Sequence, residues 1–249
     1  MHTKGQRIYA IGDIHGCRDA FAQMRAAIAA DLAAHPHANP LAITLGDYVD
    51  RGADSAGVLD DLIAWHNGPL PVVSLRGNHD TYPEIYLNSP QTTGLPHLHW
   101  LDPRMGGNET LRSYGVEGAS ADAPIATHRA AAAAIPEHHL RFIAETCRLT
   151  HHVGDYLFVH AGIHPDAPLH DQDENDLIWI REPFLSHRGD FGATVVHGHT
   201  PVQDVEHHGN RIAVDTGAVF GRFLSCVIIE DASVNLLQPQ RQAGRIALR

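Results

Sequence analysis

Leu41-Ala42-Ile43-Thr44-Leu45-Gly46-Asp47-Tyr48-Val49-Asp50-Arg51-Gly52 decides the reading of this chain. Five residues with strand character run straight into a glycine-bounded loop that carries two aspartates and an arginine. Four further blocks have the same form: Gly12-Asp13-Ile14-His15-Gly16, Gly77-Asn78-His79-Asp80, His160-Ala161-Gly162 and His197-Gly198-His199-Thr200. Any one of them could arise by chance. Five in one chain, each where a strand should end, supply the carboxylate, amide and imidazole donors that a pair of divalent cations needs.

Around these blocks the first third of the chain alternates strand and helix. Arg7 to Ile11 is expected to be a strand, and Arg18 to Ala34 repeats apolar residues at helical spacing and stops before Pro36. Leu41 to Leu45 is the second strand, Ser55 to Trp65 the second helix and Val72 to Leu75 the third strand. This β-α-β-α-β order implies an α/β fold with a parallel sheet covered by helices. Such sheets bind ligands beyond the carboxyl ends of their strands, where the first three blocks fall. Residues 88–136 then interrupt the pattern with Pro90, Gly94, Pro96, Pro103, Gly106, Gly107, Gly115, Gly118 and Pro124. The stretch reads as an inserted lid with short helices, because a structureless loop of that length is unusual inside a compact domain. Beyond it, Glu137 to Cys147 and Asp176 to Ser186 read as helices, and Tyr156 to Val159 and Thr194 to Val196 as strands. Arg211 to Val214, Phe223 to Glu230 and Ser233 to Leu237 are expected to be antiparallel strands that finish a second sheet. One domain over residues 1–249, with the lid at about 88–136, accounts for the whole chain.

Composition narrows the function classes. With 249 residues, 43% of them hydrophobic, the chain can bury a full core. No run approaches the ~18 consecutive apolar residues of a membrane span. Met1-His2-Thr3-Lys4-Gly5 lacks the pattern of a signal peptide, so a cytoplasmic location is expected, away from membranes. Cys17, Cys147 and Cys226 are widely separated and fit buried or incidental thiols, not a disulfide or zinc framework. A formal charge of −11 argues against a nucleic acid polymer as partner, which requires a basic footprint.

Two cations about 3.5 to 4 Å apart can hold a phosphoryl oxygen and lower the pKa of a water between them. Asp13 and His15, next but one on a loop, can both face one cation. Asp47 is the natural bridging carboxylate. Asn78 offers an amide oxygen, and His160 and His199 offer imidazole nitrogens to the second cation.

The blocks resemble those of the phosphoprotein phosphatase family within the calcineurin-like metallophosphoesterases, and most of all its short bacterial members. The resemblance runs from Asp13 to His199 and so covers most of the chain. It implies two mixed β-sheets packed together and flanked by helices, with a dinuclear centre at the strand ends. It further implies that Asp13, His15 and Asp47 hold one metal, and Asp47, Asn78, His160 and His199 the other. His79, oriented by Asp50, would protonate the leaving oxygen, and Arg51 with Asn78 would grip the phosphate. A second phosphate-binding arginine is expected downstream. Arg181 in Trp179-Ile180-Arg181-Glu182 matches best, with Arg188 nearby as the alternative. The implied reaction is direct in-line attack by a metal-bridging hydroxide, without a covalent enzyme intermediate. Donors without thiolate suit Mn²⁺, Fe or Zn²⁺, and Mn²⁺ is expected to support activity in vitro. The centre stays cationic with Arg51 and Arg181 beside it, so phosphate is attracted locally despite the acidic surface, which is screened beyond ~8 Å.

Three functions compete on these residues. The first is a metal-dependent phosphomonoester hydrolase, a serine/threonine protein phosphatase that extends to tyrosine and to small phosphomonoesters. The second is a hydrolase of dinucleoside tetraphosphates with the same fold. By the resemblance, bacterial relatives of that kind read Gly-Asp-Leu-Val-Ala-Arg-Gly at the second block. Asp50 here replaces their alanine and favours the phosphatase, although the lid is long enough to form a nucleotide pocket. The third is a non-catalytic binding module, whose mark would be missing ligands, and none of the six is missing. Oligomeric state and regulatory partners do not follow from the motifs. Other residues have blander readings. The pairs His138-His139, His151-His152 and His207-His208 read as solvated surface, Cys17 as a small core residue, and Trp65, Trp100 and Trp179 as core or lid contacts.

Overall fold

In Arg7–Ile11 (β1) successive side chains leave opposite faces, and that alternation builds both sides of the first sheet. The computed structural model describes residues 1–89, 98–239 and 244–245. After β1 come helix Arg18–Ala34 (α1), strand Pro40–Thr44 (β2), helix Ser55–His66 (α2) and strand Val72–Ser74 (β3). Strands β1, β2 and β3 are parallel, as the alternating pattern requires. Helix α2 starts at Asp54, whose side chain accepts from the Gly57 N–H as an N-cap.

The middle of the chain holds short helices: Tyr82–Asn88 (α3), Gly107–Ser113 (α4), Pro124–Ala134 (α5) and Glu137–Arg141 (α6). Part of the stretch expected to form a lid, residues 90–97, lies outside the described residues. Tyr82 and Tyr86 of α3, Trp100, Met105, Leu111 of α4 and Ala131 of α5 share one buried cluster. The helix expected from Glu137 to Cys147 begins as α6 and continues as a wider π turn over Phe142–Thr146.

The remainder comprises strands Thr150–Val153 (β4) and Tyr156–Val159 (β5), helix Glu174–Trp179 (α7), and strands Thr194–His197 (β6), Glu206–His207 (β7), Arg211–Ala213 (β8), Cys226–Glu230 (β9), Ser233–Leu237 (β10) and Gly244–Arg245 (β11). One mixed sheet runs β11-β10-β9-β1-β2-β3 and the other β4-β5-β6-β8-β7. The last strands therefore differ from expectation. Only β8 joins the second sheet, and it lies parallel to β6, whereas β9 and β10 extend the first sheet antiparallel to β1. Helix α7 stops at Trp179 instead of reaching Ser186. The residue before Pro183 is pushed out of helical geometry, which ends the run early. Strand β4 went unread because its two histidines hide the alternation of an edge strand.

Ile8 and Ala10 of β1 meet Ile229 of β9, Tyr156 and Phe158 of β5, Val196 of β6 and Ile212 of β8 in the cluster between the sheets. Tyr9 and Ile11 face the other way, against Phe21, Met24 and Ile28 of α1 and Leu59 and Leu62 of α2. Leu157 and Val159 of β5 pack outward with Val195 against Leu177 and Ile178 of α7. The result is a sandwich whose inner faces interdigitate, with helices on the outside. Two histidines expected on the surface are buried. His139 is held between Tyr114 Oη (2.8 Å) and Asp60 (3.0 Å), and His207 lies in β7 beside β8. Cys17 and Cys147 are half-buried and Cys226 is buried, all free. Among the described residues no helix is long and apolar enough to cross a membrane.

Phe158, fully buried between the sheets, tests this core. Phe158→Ala should cost about 3–5 kcal/mol through lost transfer energy and the cavity left behind. In urea unfolding of the protein, the midpoint should fall with the slope unchanged.

Candidate metal centre

Each block lies just past or at the carboxyl end of its strand. Asp13 and His15 follow β1, Asp47 follows β2, Asn78 and His79 follow β3, His160 follows β5, and His199 leaves β6. The sandwich brings these loops to one edge. Among the described residues, the donor atoms of His15, Asp47 and His79 form one buried group, and those of Asp47, His160 and His199 form a second. Asp47 belongs to both. Its Oδ2 lies 3.3 Å from His15 Nε2, and its Oδ1 lies 3.5 Å from His160 Nε2. Asn78 Oδ1 joins the second group, 3.0 Å from His160 Nε2.

The imidazoles show what this arrangement requires. His15 Nδ1 lies 2.8 Å from the Val49 carbonyl, and His160 Nδ1 lies 2.8 Å from the Leu45 carbonyl. A carbonyl only accepts, so the Nδ1 atoms carry the protons and the Nε2 lone pairs point inward. There His160 Nε2 meets oxygens of Asp47 and Asn78, which also only offer lone pairs, and His15 Nε2 faces Asp47 with an Arg51 N–H as its one donor. A proton on Nε2 would relieve the conflict, but burial holds the His15 ring down at about 3 and lowers His160 as well. His199, lowered by burial and by His160 to about 2, has a buried Nε2 without a hydrogen-bond partner. Asp47 remains ionised: burial opposes its charge, but the surrounding histidines outweigh it and hold it below the usual carboxylate range. Inward lone pairs and a persistent carboxylate fit divalent cations.

Asp13 falls in neither three-residue group. Its carboxylate accepts the His199 N–H at 3.0 and 3.2 Å, and burial, then Asp215, then Asp47 raise its pKa well above the normal carboxylate value. Asp215, which sequence reasoning missed, is itself pushed up to about 6, chiefly by burial. Three buried carboxylates in one another's field again call for positive charge.

Asp80 stood in a quoted block without a role, and it is the post on which the Asp47 loop is hung. Its Oδ2 accepts from Asp47 N (2.8 Å) and Gly77 N (2.9 Å), and its Oδ1 accepts from Tyr48 N (2.8 Å). Asp47 needs such a hold, since its φ is +53°. Seven non-glycine residues among those described have positive φ. Five of them are His15, Asp47, Asp50, Arg51 and His199. Each such conformation costs on the order of 1–3 kcal/mol and persists only where the surroundings enforce it. Two glycines make room for the carboxylates: a Cβ on Gly77 would collide with Asp47, and one on Gly198 with Asp13.

Beside the two groups, His79 Nδ1 lies 2.7 Å from Oδ2 of the fully buried Asp50. The other Asp50 oxygen accepts from Trp100 Nε1 (2.9 Å) and Thr110 Oγ1 (2.7 Å). Neither partner had a sequence signal, because each lies at least 50 residues away with no motif around it. Arg51 extends one N–H to His15 Nε2 (2.6 Å) and another to His79 Nε2 (2.7 Å). Arg181 lines the same cavity as Asp13, His15, Arg51 and His199, whereas Arg188 turns to the carbonyls of Leu185 and His187.

A β-sandwich that gathers paired Asp, Asn and His donors at its strand ends is the arrangement of a two-metal hydrolase. The family model described as calcineurin-like phosphoesterase matches residues 6–225, and the chain belongs to that family. It is a metallophosphoesterase, an enzyme that hydrolyses phosphoesters with a dinuclear metal centre. The chain is 29% identical over 232 residues to serine/threonine-protein phosphatase 1 of Salmonella typhimurium, covering 90% of this chain and 93% of that one. It is 30% identical over 188 residues to the symmetrical bis(5'-nucleosyl)-tetraphosphatase of an Acidovorax species. That match covers 76% of this chain and spans about half, 51%, of the relative. A crystal structure of a candidate diadenosine tetraphosphatase superposes with a TM-score of 0.65 at 20% identity, covering 96% of both chains, a likeness of fold.

Asp80→Asn tests the post beneath Asp47. The amide keeps the size but turns a donor toward backbone N–H groups that need an acceptor, which should cost about 1–3 kcal/mol. Equilibrium dialysis should show weakened metal binding alongside a lower melting temperature; metal binding equal to wild type would remove Asp80 from the support of the centre.

Proposed function

We propose that this enzyme is a protein phosphatase that removes phosphate from serine and threonine side chains, with tyrosine as a further substrate. On this reading Asp13, His15 and Asp47 hold one cation, and Asp47, Asn78, His160 and His199 hold the other. The bound cations supply Lewis acidity toward phosphoryl oxygens and lower the pKa of water. Oxygen and imidazole donors without thiolate support Mn²⁺ as the metal for assay. Arg51 and Arg181, with the Asn78 amide, hold phosphoryl oxygens through charge-assisted hydrogen bonds. With phosphate drawing the Arg51 guanidinium off Nε2, where it donates in this structure, that nitrogen takes up a proton and delivers it to the departing oxygen, while Asp50 fixes the His79 ring through Nδ1.

One observation carries the choice of substrate: the His79–Asp50 pair, at 2.7 Å and buried behind Trp100 and Thr110. A serine or threonine alkoxide is a strong base and leaves slowly without a proton. The phosphate group released from a nucleotide anhydride is a weak base and hardly needs one. A built proton donor therefore supports an ester of an alcohol. The name of the Salmonella relative agrees with this reading. The name of the Acidovorax relative favours a second reading, cleavage of dinucleoside tetraphosphates.

Metal-stripped enzyme reloaded with Mn²⁺ should release phosphate faster from a phosphothreonine peptide than it cleaves diadenosine tetraphosphate at matched concentration. Faster cleavage of the dinucleotide would reverse the assignment. His79→Asn should slow the phosphothreonine peptide by roughly 10²–10⁴-fold. It should slow p-nitrophenyl phosphate, whose leaving group hardly needs an acid, far less; equal losses would remove His79 as the proton donor.

A further inference from the structure

Phe220 is 61% exposed at the rim of the candidate centre. A single exposed apolar ring needs no explanation by itself, but this one is held in a fixed place. It ends a short 3-10 turn, Ala218–Phe220, bracketed by Gly217 and Gly221 with φ of 73° and 76°. A Cβ on Gly217 would lie 3.3 Å from the ring, so the glycine lets the ring fold back over the turn. The face of the ring lies over Arg51, whose Cζ is 5.8 Å from the ring centroid.

Two cavities meet at this pair. One, of about 140 Å³, is lined by Asp13, His15, Arg51, Arg181 and His199 as well as Phe220. The other, of about 360 Å³, is lined by Arg51, Pro103, Arg104, Gly106 and Glu109 as well as Phe220. The first is the place for the phosphoryl group under the proposed function. Under the same reading the leaving oxygen faces His79 Nε2, which lies 2.7 Å from the Arg51 guanidinium and so beside this pair. The second cavity shares Arg51 and Phe220 with the first and gives room to the group attached to that oxygen.

We infer that Phe220 is a specificity-determining residue whose ring packs against the group on the leaving oxygen and admits phosphotyrosine beside the serine and threonine esters, by holding its aryl group more tightly than an alkyl chain. The inference rests on the first cavity being the phosphate site. Among the described residues that line the second cavity Phe220 is the only aromatic, so one side chain carries the preference. Ring-on-ring packing of this kind is worth about a three- to tenfold difference in affinity.

The test compares phenylphosphonate with propylphosphonate as competitive inhibitors of Mn²⁺-loaded enzyme, using whichever substrate the enzyme turns over. It also compares two peptides that differ only in phosphotyrosine against phosphothreonine. Wild type should bind phenylphosphonate about three to ten times more tightly than propylphosphonate. Phe220→Ala and Phe220→Leu should both erase that preference, the second while keeping an apolar side chain. Each should raise KM for the phosphotyrosine peptide about three to ten times more than KM for the phosphothreonine peptide. A preference that survives in Phe220→Ala, or equal losses for both inhibitors, would overturn the inference. Failure of both phosphonates to compete would overturn the phosphate site beneath it. Wild type that prefers diadenosine tetraphosphate to both peptides would instead overturn the protein phosphatase reading, and the inhibitor comparison separates these cases.

Discussion

Asp47 turns one carboxylate oxygen toward His15 and the other toward His160, and the site is organised to keep it so. A carboxylate in that position is expensive, since burial opposes its charge and Asp13 and Asp215 add repulsion. The histidines that face it favour its charge, but burial depresses their own protonation, so they bring lone pairs to the site. The energetic conflict is resolved by positive charge from outside the chain, and this makes the centre a built receptor for divalent ions. Asp80 serves the same end from behind by binding the backbone that presents Asp47.

Strain follows from the same constraint. A strand delivers side chains alternately up and down, but the site needs donors from five loops aimed at one small volume. Left-handed backbone at His15, Asp47, Asp50, Arg51 and His199 re-aims the loops that leave the strand ends. The surrounding sandwich holds these conformations, with the cluster from Ile8 to Ile229 fixing one sheet against the other. Stability is thus concentrated between the sheets and consumed at their edge.

How much was legible in the sequence follows from distance along the chain. The metal-ligand candidates come in blocks because each must sit at the end of a strand, so residue type and strand pattern coincide and can be read together. The partners of Asp50 could not be read, because Trp100 and Thr110 reach it from a segment whose sequence shows no period or motif. Strands β9 and β10 were visible as strands, but their sheet was not. Alternation reports which faces are buried, and it is silent on which open edge a strand will join. That is why two strands assigned to the second sheet extend the first. His139 and His207 looked like surface residues by composition alone. Burial of His139 depends on Tyr114 and Asp60, which come to it from distant helices.

The segment after α3 does more than cover the site. Trp100 and Thr110 complete the hydrogen bonds of Asp50, and the Gly106 carbonyl accepts the N–H of Arg51 at 3.2 Å. The placement of Asp50 and Arg51 is therefore set by residues 100–110 as much as by the loop that carries them. Tyr82 and Trp179 join that segment's cluster to the centre, with the Trp179 ring 6.0 Å from His199 and edge-on to it. On the proposed function, a change in how this segment packs would alter the His79–Asp50 pair before it altered the candidate metal ligands, whose supports come from the sandwich itself.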